Sequence, residues 1–349
     1  MPELRLDLDV MESNAKRIAA QIASLGKLWR PHVKAHCEPR IAQTLVELGA
    51  TGITAATVNE VEVMSSAGIP SILFAHIAVD QDQLNRLARV SQQTDLLLCA
   101  DHFVQAERYS KTAQQCGTEF HVLIDIDIGM KRSGCRPRVD ATQLALAVDK
   151  LPGLRVAGIF GYEGHLLTIA DAAQKERAVF DSIGMLEQSR DAMTAAGIEC
   201  DVISAGGSGS FWITGRHPAV TELQAGGGIF GDLFYSQQCG LTGVQPALTV
   251  VADVVSRPCL DRAIVNTGRK AINPVVCPPQ VANLKGASVD SMSAEHTSLN
   301  LSGQSRDLRI GQQVALHVGY SDHSILMHRT IEIYRGESKV DTWDVIRQT

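Results

Sequence analysis

Along the first two-thirds of the chain, short apolar runs alternate with longer stretches whose apolar residues recur at helical spacing. After an opening that alternates apolar and charged residues, residues 10–25 carry Val10, Ala15, Ile18, Ala19, Ile22 and Leu25 on one helical face and close at Gly26, a C-terminal cap. Eight strands are then predicted, at residues 28–34, 52–57, 72–76, 95–100, 121–127, 156–164, 202–207 and 222–228. Amphipathic helices are predicted between them at 39–48, 58–67, 81–90, 103–115, 141–151 and 175–196. Repeated strand–helix units favour an all-parallel sheet, and eight of them favour closure into a (β/α)8 TIM-type barrel. Beyond Tyr235 the pattern changes to short apolar or β-branched runs at 248–255, 262–265, 313–319 and 325–334, separated by Gly, Pro, Asn and Asp. The reading is therefore an α/β protein with a barrel over residues 1–238 and a mostly β domain over 239–349.

Composition alters this picture little. With 45% hydrophobic residues and a net charge of -6 over 349 residues, the chain reads as an ordinary globular protein with scattered basic residues, so neither a nucleic-acid surface nor a membrane span is expected. The eight cysteines are dispersed, without Cys-x-x-Cys spacing, and read as mostly reduced, buried small hydrophobes. The N-terminus lacks the apolar core of a signal peptide, and a cytoplasmic location is expected.

In such barrels the chemistry sits where strands end. Lys34, in Arg30-Pro31-His32-Val33-Lys34-Ala35-His36, is read as held on extended backbone in an aliphatic setting that would lower its pKa, an amine able to condense with a carbonyl compound. A surface lysine at the barrel rim is the alternative. Arg132 follows Ile124-Asp125-Ile126-Asp127-Ile128-Gly129-Met130-Lys131; it either meets an anionic ligand edge or pairs with Asp125 or Asp127. Tyr162, Glu163 and His165 crowd one strand end between glycines. Two glycine-rich segments, Gly206-Gly207-Ser208-Gly209-Ser210 and Gly226-Gly227-Gly228, follow the seventh and eighth strands. Their amides, the Ser208 and Ser210 hydroxyls and a following helix N-terminus suit a phosphate, or the clusters are tight turns. Neither is a Walker loop. A lysine after strand one, an arginine after strand five and two phosphate loops fit one ligand, pyridoxal 5'-phosphate.

In order, Pro31-His32-Val33-Lys34-Ala35-His36, Ala56-Thr57-Val58-Asn59-Glu60-Val61-Glu62, Asp127-Ile128-Gly129-Met130-Lys131-Arg132-Ser133-Gly134, Tyr162-Glu163-Gly164-His165, Gly206-Gly207-Ser208-Gly209-Ser210 and Ser293-Ala294-Glu295-His296 resemble the motifs of the D-threonine aldolase and D-serine dehydratase family, within the wider alanine-racemase-like fold. The resemblance covers nearly the whole chain. It implies that Lys34 is the Schiff-base lysine, that Arg132 and Tyr162 lie beside the cofactor ring or phosphate, and that Gly207, Ser208, Gly209, Ser210, Gly227 and Gly228 hold the phosphate. It further implies a D-configured 3-hydroxy amino acid as substrate and a homodimer.

The family also places a His-x-Asp or His-x-Cys metal pair near the C-terminus. Here Asp322 keeps the second ligand while Tyr320 stands at the first, and a phenol replaces imidazole poorly toward a divalent cation. Binding of a divalent metal is left open, with His323 and His328 as substitutes to be weighed. The reading is thus a lyase working by aldol cleavage or dehydration. The alternatives are a racemase or epimerase in which Lys34 and Tyr320 serve as the two catalytic bases, and a non-catalytic cofactor-binding protein.

Overall fold

The protein is described from a computed structural model covering residues 2–346. The chain divides into two compact units: Ile18–Gly226 forms one, and the described residues of Met1–Arg17 with Gly227–Arg347 form the other. It opens with β1 (Glu3–Asp7) and α1 (Leu8–Ser24), which buries Ala15, Ile18 and Ile22 of the expected helical face and Met11 besides.

The first unit contains β2 (Leu28–Trp29), β3 (Ile53–Ala55), β4 (Ser71–Phe74), β5 (Asp95–Ala100), β6 (Phe120–Asp125), β7 (Leu154–Phe160), β8 (Val202–Ala205) and β9 (Glu222–Leu223). Among the described residues these eight strands form one sheet in the order β2-β9-β8-β7-β6-β5-β4-β3, every pair parallel. The two ends meet: a parallel bridge joins His32 to Thr54, and Thr54 N donates to Pro31 O at 2.9 Å. The expected (β/α)8 barrel is present. Between the strands run α2 (Pro39–Glu47), α3 (Val58–Ser66), α4 (Gln81–Ser91), α5 (Phe103–Cys116), α6 (Val139–Val148), α7 (Ala172–Ala195) and the one-turn α8 (Phe211–Thr214).

Local chemistry sets the ends of these elements. Thr57, Asp80 and Asp171 accept from first-turn amides of α3, α4 and α7, and Gly117, at φ 64°, ends α5 in the left-handed conformation that glycine adopts without strain. Strands such as β3 and β4 are buried along their whole length, as a parallel sheet requires when helices cover one face and packed side chains fill the other. The barrel interior also holds a polar layer. Arg30 Nε donates to both Glu222 carboxylate oxygens at 3.1 and 2.9 Å, Arg30 Nη1 to Ser71 Oγ at 2.8 Å, and Ser204 Oγ to Glu222 Oε1 at 2.7 Å.

Two expectations about elements change. The strand expected at 28–34 is formally two residues long, because Pro31 has no N–H for the ladder and the chain turns at Lys34. Residues 325–327 form a 3-10 turn rather than the start of a strand. Half of the cysteines (Cys37, Cys99, Cys239 and Cys277) are buried as expected and Cys259 is exposed; the eight recorded cysteines are free.

The second unit is mostly β. It comprises β10 (Leu248–Cys259), β11 (Arg262–Val265), β12 (Gln280–Val281), β13 (Ala287–Met292), β14 (Thr297–Leu301), β15 (Gln313–His317), β16 (Thr330–Arg335) and β17 (Ser338–Asp344), with β1 and the short α9 (Ser321–Ser324). β1 pairs antiparallel with β10 and parallel with β16, so the N-terminal strand and residues 227–238 go with this unit, unlike the division drawn from sequence at residue 238. Among the described residues no helix is long and apolar enough to cross a membrane.

Candidate active site

Four chain segments carry the barrel unit's candidate groups, each beyond the C-terminal end of a strand: the Lys34 turn after β2, the Arg132 loop after β6, Tyr162–His165 after β7 and Gly206–Ser210 after β8. Lys34 is half-buried and lies in a turn, not on extended backbone. His36 N and Cys37 N both donate to Val33 O, at 3.0 and 2.8 Å, and Cys37 takes φ 50°. The flanking histidines build this turn. His32 Nδ1 accepts from Lys34 N at 3.2 Å, and His36 Nδ1 accepts from Glu38 N at 2.9 Å ahead of α2. Both imidazoles are held neutral: burial pushes His36 down to about 3, and His32 is driven well below its ordinary range by burial, then by the charges of Lys34 and Arg132. Lys34 and Arg132 thus act on one imidazole.

Arg132 is exposed, its guanidinium carbon 5.8 Å from the centre of the Tyr162 ring. The two aspartates weighed as its partners have other work. Asp125 Oδ2 accepts from Ser133 Oγ at 2.7 Å, and Asp127 Oδ1 accepts from Gly129 N and Lys131 N at 2.9 and 3.0 Å, shaping the loop. Burial raises Asp125 to about 6. A small cavity is lined by Asp125, Arg132, Ser133, Phe160 and Tyr162, among others.

Tyr162 joins the segments. Its ring packs against the barrel-core cluster of Leu73, Leu97, Cys99, Leu123 and Phe160. A Cβ added at Gly207 would lie 2.9 Å from Tyr162 Cε2 and 3.2 Å from its hydroxyl, so only glycine lets the post-β8 turn lie against this ring. Ser208, Gly209 and Ser210 are buried in that turn. Ser210, expected to offer its hydroxyl to a phosphate, donates it to Glu163 Oε1 at 2.7 Å, and its N–H to Gly207 O at 3.1 Å. The helix expected to add its N-terminal field is the single turn α8.

The remaining candidates belong to the β unit. Gly227 and Gly228 open a 3-10 turn at Gly227–Phe230, and a Cβ at Gly227 would lie 3.1 Å from Asp322 Oδ1. Tyr320 Oη donates to Asp322 Oδ2 at 3.0 Å. The Tyr320 ring makes edge contacts with Phe234, Tyr235 and His323, at centroid distances of 5.2, 5.9 and 4.9 Å. His328 lies apart from this group, with Nε2 2.8 Å from Ala271 O. Asp232 anchors the segment from behind: Oδ2 accepts from Ser321 N and Oγ at 2.9 and 2.7 Å, and Oδ1 from Tyr235 N at 3.1 Å. Among the described residues no cluster of three or more His, Cys, Asp or Glu is arranged to hold a metal ion.

Two groups escaped the sequence reading. Lys175 is buried on α7, its Nζ donating to Leu167 O and Gly209 O at 2.7 Å each, and nothing in a helix pattern marks a lysine as buried. Asp232 carried no motif signal.

Comparison with known proteins agrees with the family resemblance. The chain is 28% identical over 348 residues to the D-threonine aldolase of Arthrobacter sp, covering 99% of this chain and 91% of that one. It is 31% identical over 284 residues to the D-threo-3-hydroxyaspartate dehydratase of Delftia sp. (strain HT23), covering 78% of this chain and 72% of the relative. The crystal structure of a D-threonine aldolase from Filomicrobium marinum superposes with a TM-score of 0.94 at 29% identity, covering 99% of this chain and 95% of that one. A serine dehydratase domain model matches residues 247–334. Residues 6–233, more than half of the chain, match the model of the alanine racemase N-terminal domain, and the protein belongs to that family.

Proposed function

We propose that this protein is a pyridoxal-phosphate-dependent lyase acting on D-configured 3-hydroxy amino acids, by aldol cleavage or by dehydration. The observation that carries the reading is the pairing at one barrel end of an amine in a braced turn with a glycine cradle: Lys34 beside the neutral His32, and Gly207 against Tyr162. These residues fit the cofactor. Lys34 is suited to its aldehyde, the Gly207–Gly209 turn to its phosphate, and Arg132 with Tyr162 to its ring or phosphate. When bound, the cofactor supplies an electron sink for the pair left when a bond to Cα breaks.

The chain's own groups have definable tasks. Lys34 Nζ moves a proton at Cα: dehydration needs it removed there, and aldol cleavage needs one returned to the glycine product. His32, fixed with Nδ1 unprotonated by the Lys34 N–H, keeps the lysine turn in place without adding positive charge. Arg132 holds a fixed cation over the Tyr162 ring, where it can bind an anionic group and orient it. The relatives named as a D-threonine aldolase and a D-threo-3-hydroxyaspartate dehydratase perform the two courses on which this proposal rests.

A divalent ion does not fit the residues in hand. Tyr320 presents a hydroxyl whose hydrogen is directed at Asp322, so the pair is a phenol–carboxylate hydrogen bond rather than an imidazole–carboxylate chelate. Elemental analysis of the purified protein after dialysis against a chelator tests this; stoichiometric retention of zinc or manganese would overturn it. The reaction class is tested by incubating the holoenzyme with D-threonine, D-serine and D-alanine. Aldehyde with glycine identifies an aldolase and keto acid with ammonia a dehydratase. Formation of the L-enantiomer alone would replace the lyase reading with racemisation.

A further inference from the structure

Glu163, three residues beyond β7, is fully buried, and a buried carboxylate persists only where donors surround it. Its donors share one origin. Oε1 accepts from Ser210 Oγ at 2.7 Å and from Thr214 Oγ1, and Oε2 from Gly206 N at 3.4 Å, so the contacts span the glycine turn and the short helix that follows it. Lys175 ties the same turn through Gly209 O at 2.7 Å while anchoring on Leu167 O, with Trp212 packed 5.1 Å from its Nζ. A glycine-rich turn would otherwise sample many backbone states, and each fixed point removes part of that freedom before any ligand arrives.

Ser210 belongs to this framework and not to the ligand. A serine hydroxyl has one hydrogen to give, and this one goes to Glu163; the backbone N–H goes to Gly207 O. We propose that Glu163, with Ser210, Thr214 and Lys175, forms a buried clasp that presets the Gly206–Ser210 turn for the cofactor phosphate. Ser210 is then a positioning residue acting through Glu163. The inference rests on the reading of this turn as the phosphate site. A carboxylate suits the task because it only accepts: it draws both hydroxyls and the Gly206 N–H inward, whereas the amide of glutamine offers hydrogens that oppose one of these donors.

The test compares dissociation constants for pyridoxal 5'-phosphate and for pyridoxal, which lacks the phosphate, in the full-length enzyme and in Glu163→Gln, Ser210→Ala and their double variant. Hydrogen bonds to a charged group set the expected scale, so Glu163→Gln should weaken the phosphorylated form by about tenfold or more and leave pyridoxal within about twofold. Ser210→Ala should add nothing once Glu163 is glutamine, because both substitutions break one contact. An equal loss from Ser210→Ala in both backgrounds would make the serine a direct ligand and overturn the proposal, as would unchanged affinity in Glu163→Gln. If the unsubstituted enzyme binds pyridoxal as tightly as its phosphate, the phosphate-site reading itself falls. Should Glu163→Gln fail to fold, Thr214→Val removes a clasp contact from α8 and is expected to weaken the phosphorylated form selectively; no selective loss there refutes the clasp.

Discussion

Lys34 and Gly207 each occupy a position whose neighbours define what a substitution does. The turn that carries Lys34 is closed by backbone bonds to Val33 O, so Lys34→Ala should keep the fold. Far-UV circular dichroism should be unchanged, the long-wavelength absorbance of the bound cofactor should vanish, and turnover should fall by about 10²–10⁴-fold or more. Gly207→Ala puts a methyl 2.9 Å from the Tyr162 ring, which is too close to stand without movement. Equilibrium dialysis should then show affinity for pyridoxal 5'-phosphate weakened by about tenfold, because the turn and the ring can no longer share that space.

The segments around Tyr320 are organised by a buried acid. Asp232 joins the turn at Phe234–Gln238 to α9 through Tyr235 N and Ser321, and burial raises its carboxyl to about 7. An ordinary aspartate titrates near about 4 in an unfolded chain, so between these values the folded protein binds the extra proton. Asp232 therefore contributes stability at low pH that is lost as pH rises from about 4 through 7. Asp232→Asn should cost about 1–3 kcal/mol where its amide meets a backbone N–H, yet should shrink the difference in urea stability between pH 5 and pH 8. A difference as large as that of the unsubstituted protein would assign the pH dependence to other groups.

For the molecule as a whole, the barrel is closed where β2 meets β9 and β3, and the Arg30–Glu222 pair spans the first of these joins inside the core. Both side chains are nearly inaccessible. Removing one charge strands the other, so Glu222→Gln should lower unfolding stability by about 3–5 kcal/mol, read as a fall in the denaturant midpoint. Gly226 makes a related demand: a Cβ there would lie 2.0 Å from His32 O, so Gly226→Ala should destabilise closure directly. Neither residue's partner was visible beforehand, although both lie in stretches read as strand or strand end.

What the sequence determined by itself was whatever repeats locally. The alternation of apolar runs with helical faces specified eight strands and the helices between them, and the ordered motifs specified the family and the strand ends at which Lys34, Arg132, Tyr162 and the post-β8 glycines stand. Burial periodicity is written residue by residue, and that is why it was legible. Tertiary structure alone decided the pairings. The hydroxyl of Ser210, read from sequence as a phosphate donor, lies 2.7 Å from Glu163 Oε1, and Lys34 looked extended until two amides closed on Val33 O. β1 joined the β unit because β10 and β16 supply its hydrogen bonds, and Arg30 found Glu222 across 192 residues of chain. Each of these depends on which backbone groups and side chains closure brings within hydrogen-bonding distance, a non-local quantity that no window of sequence contains.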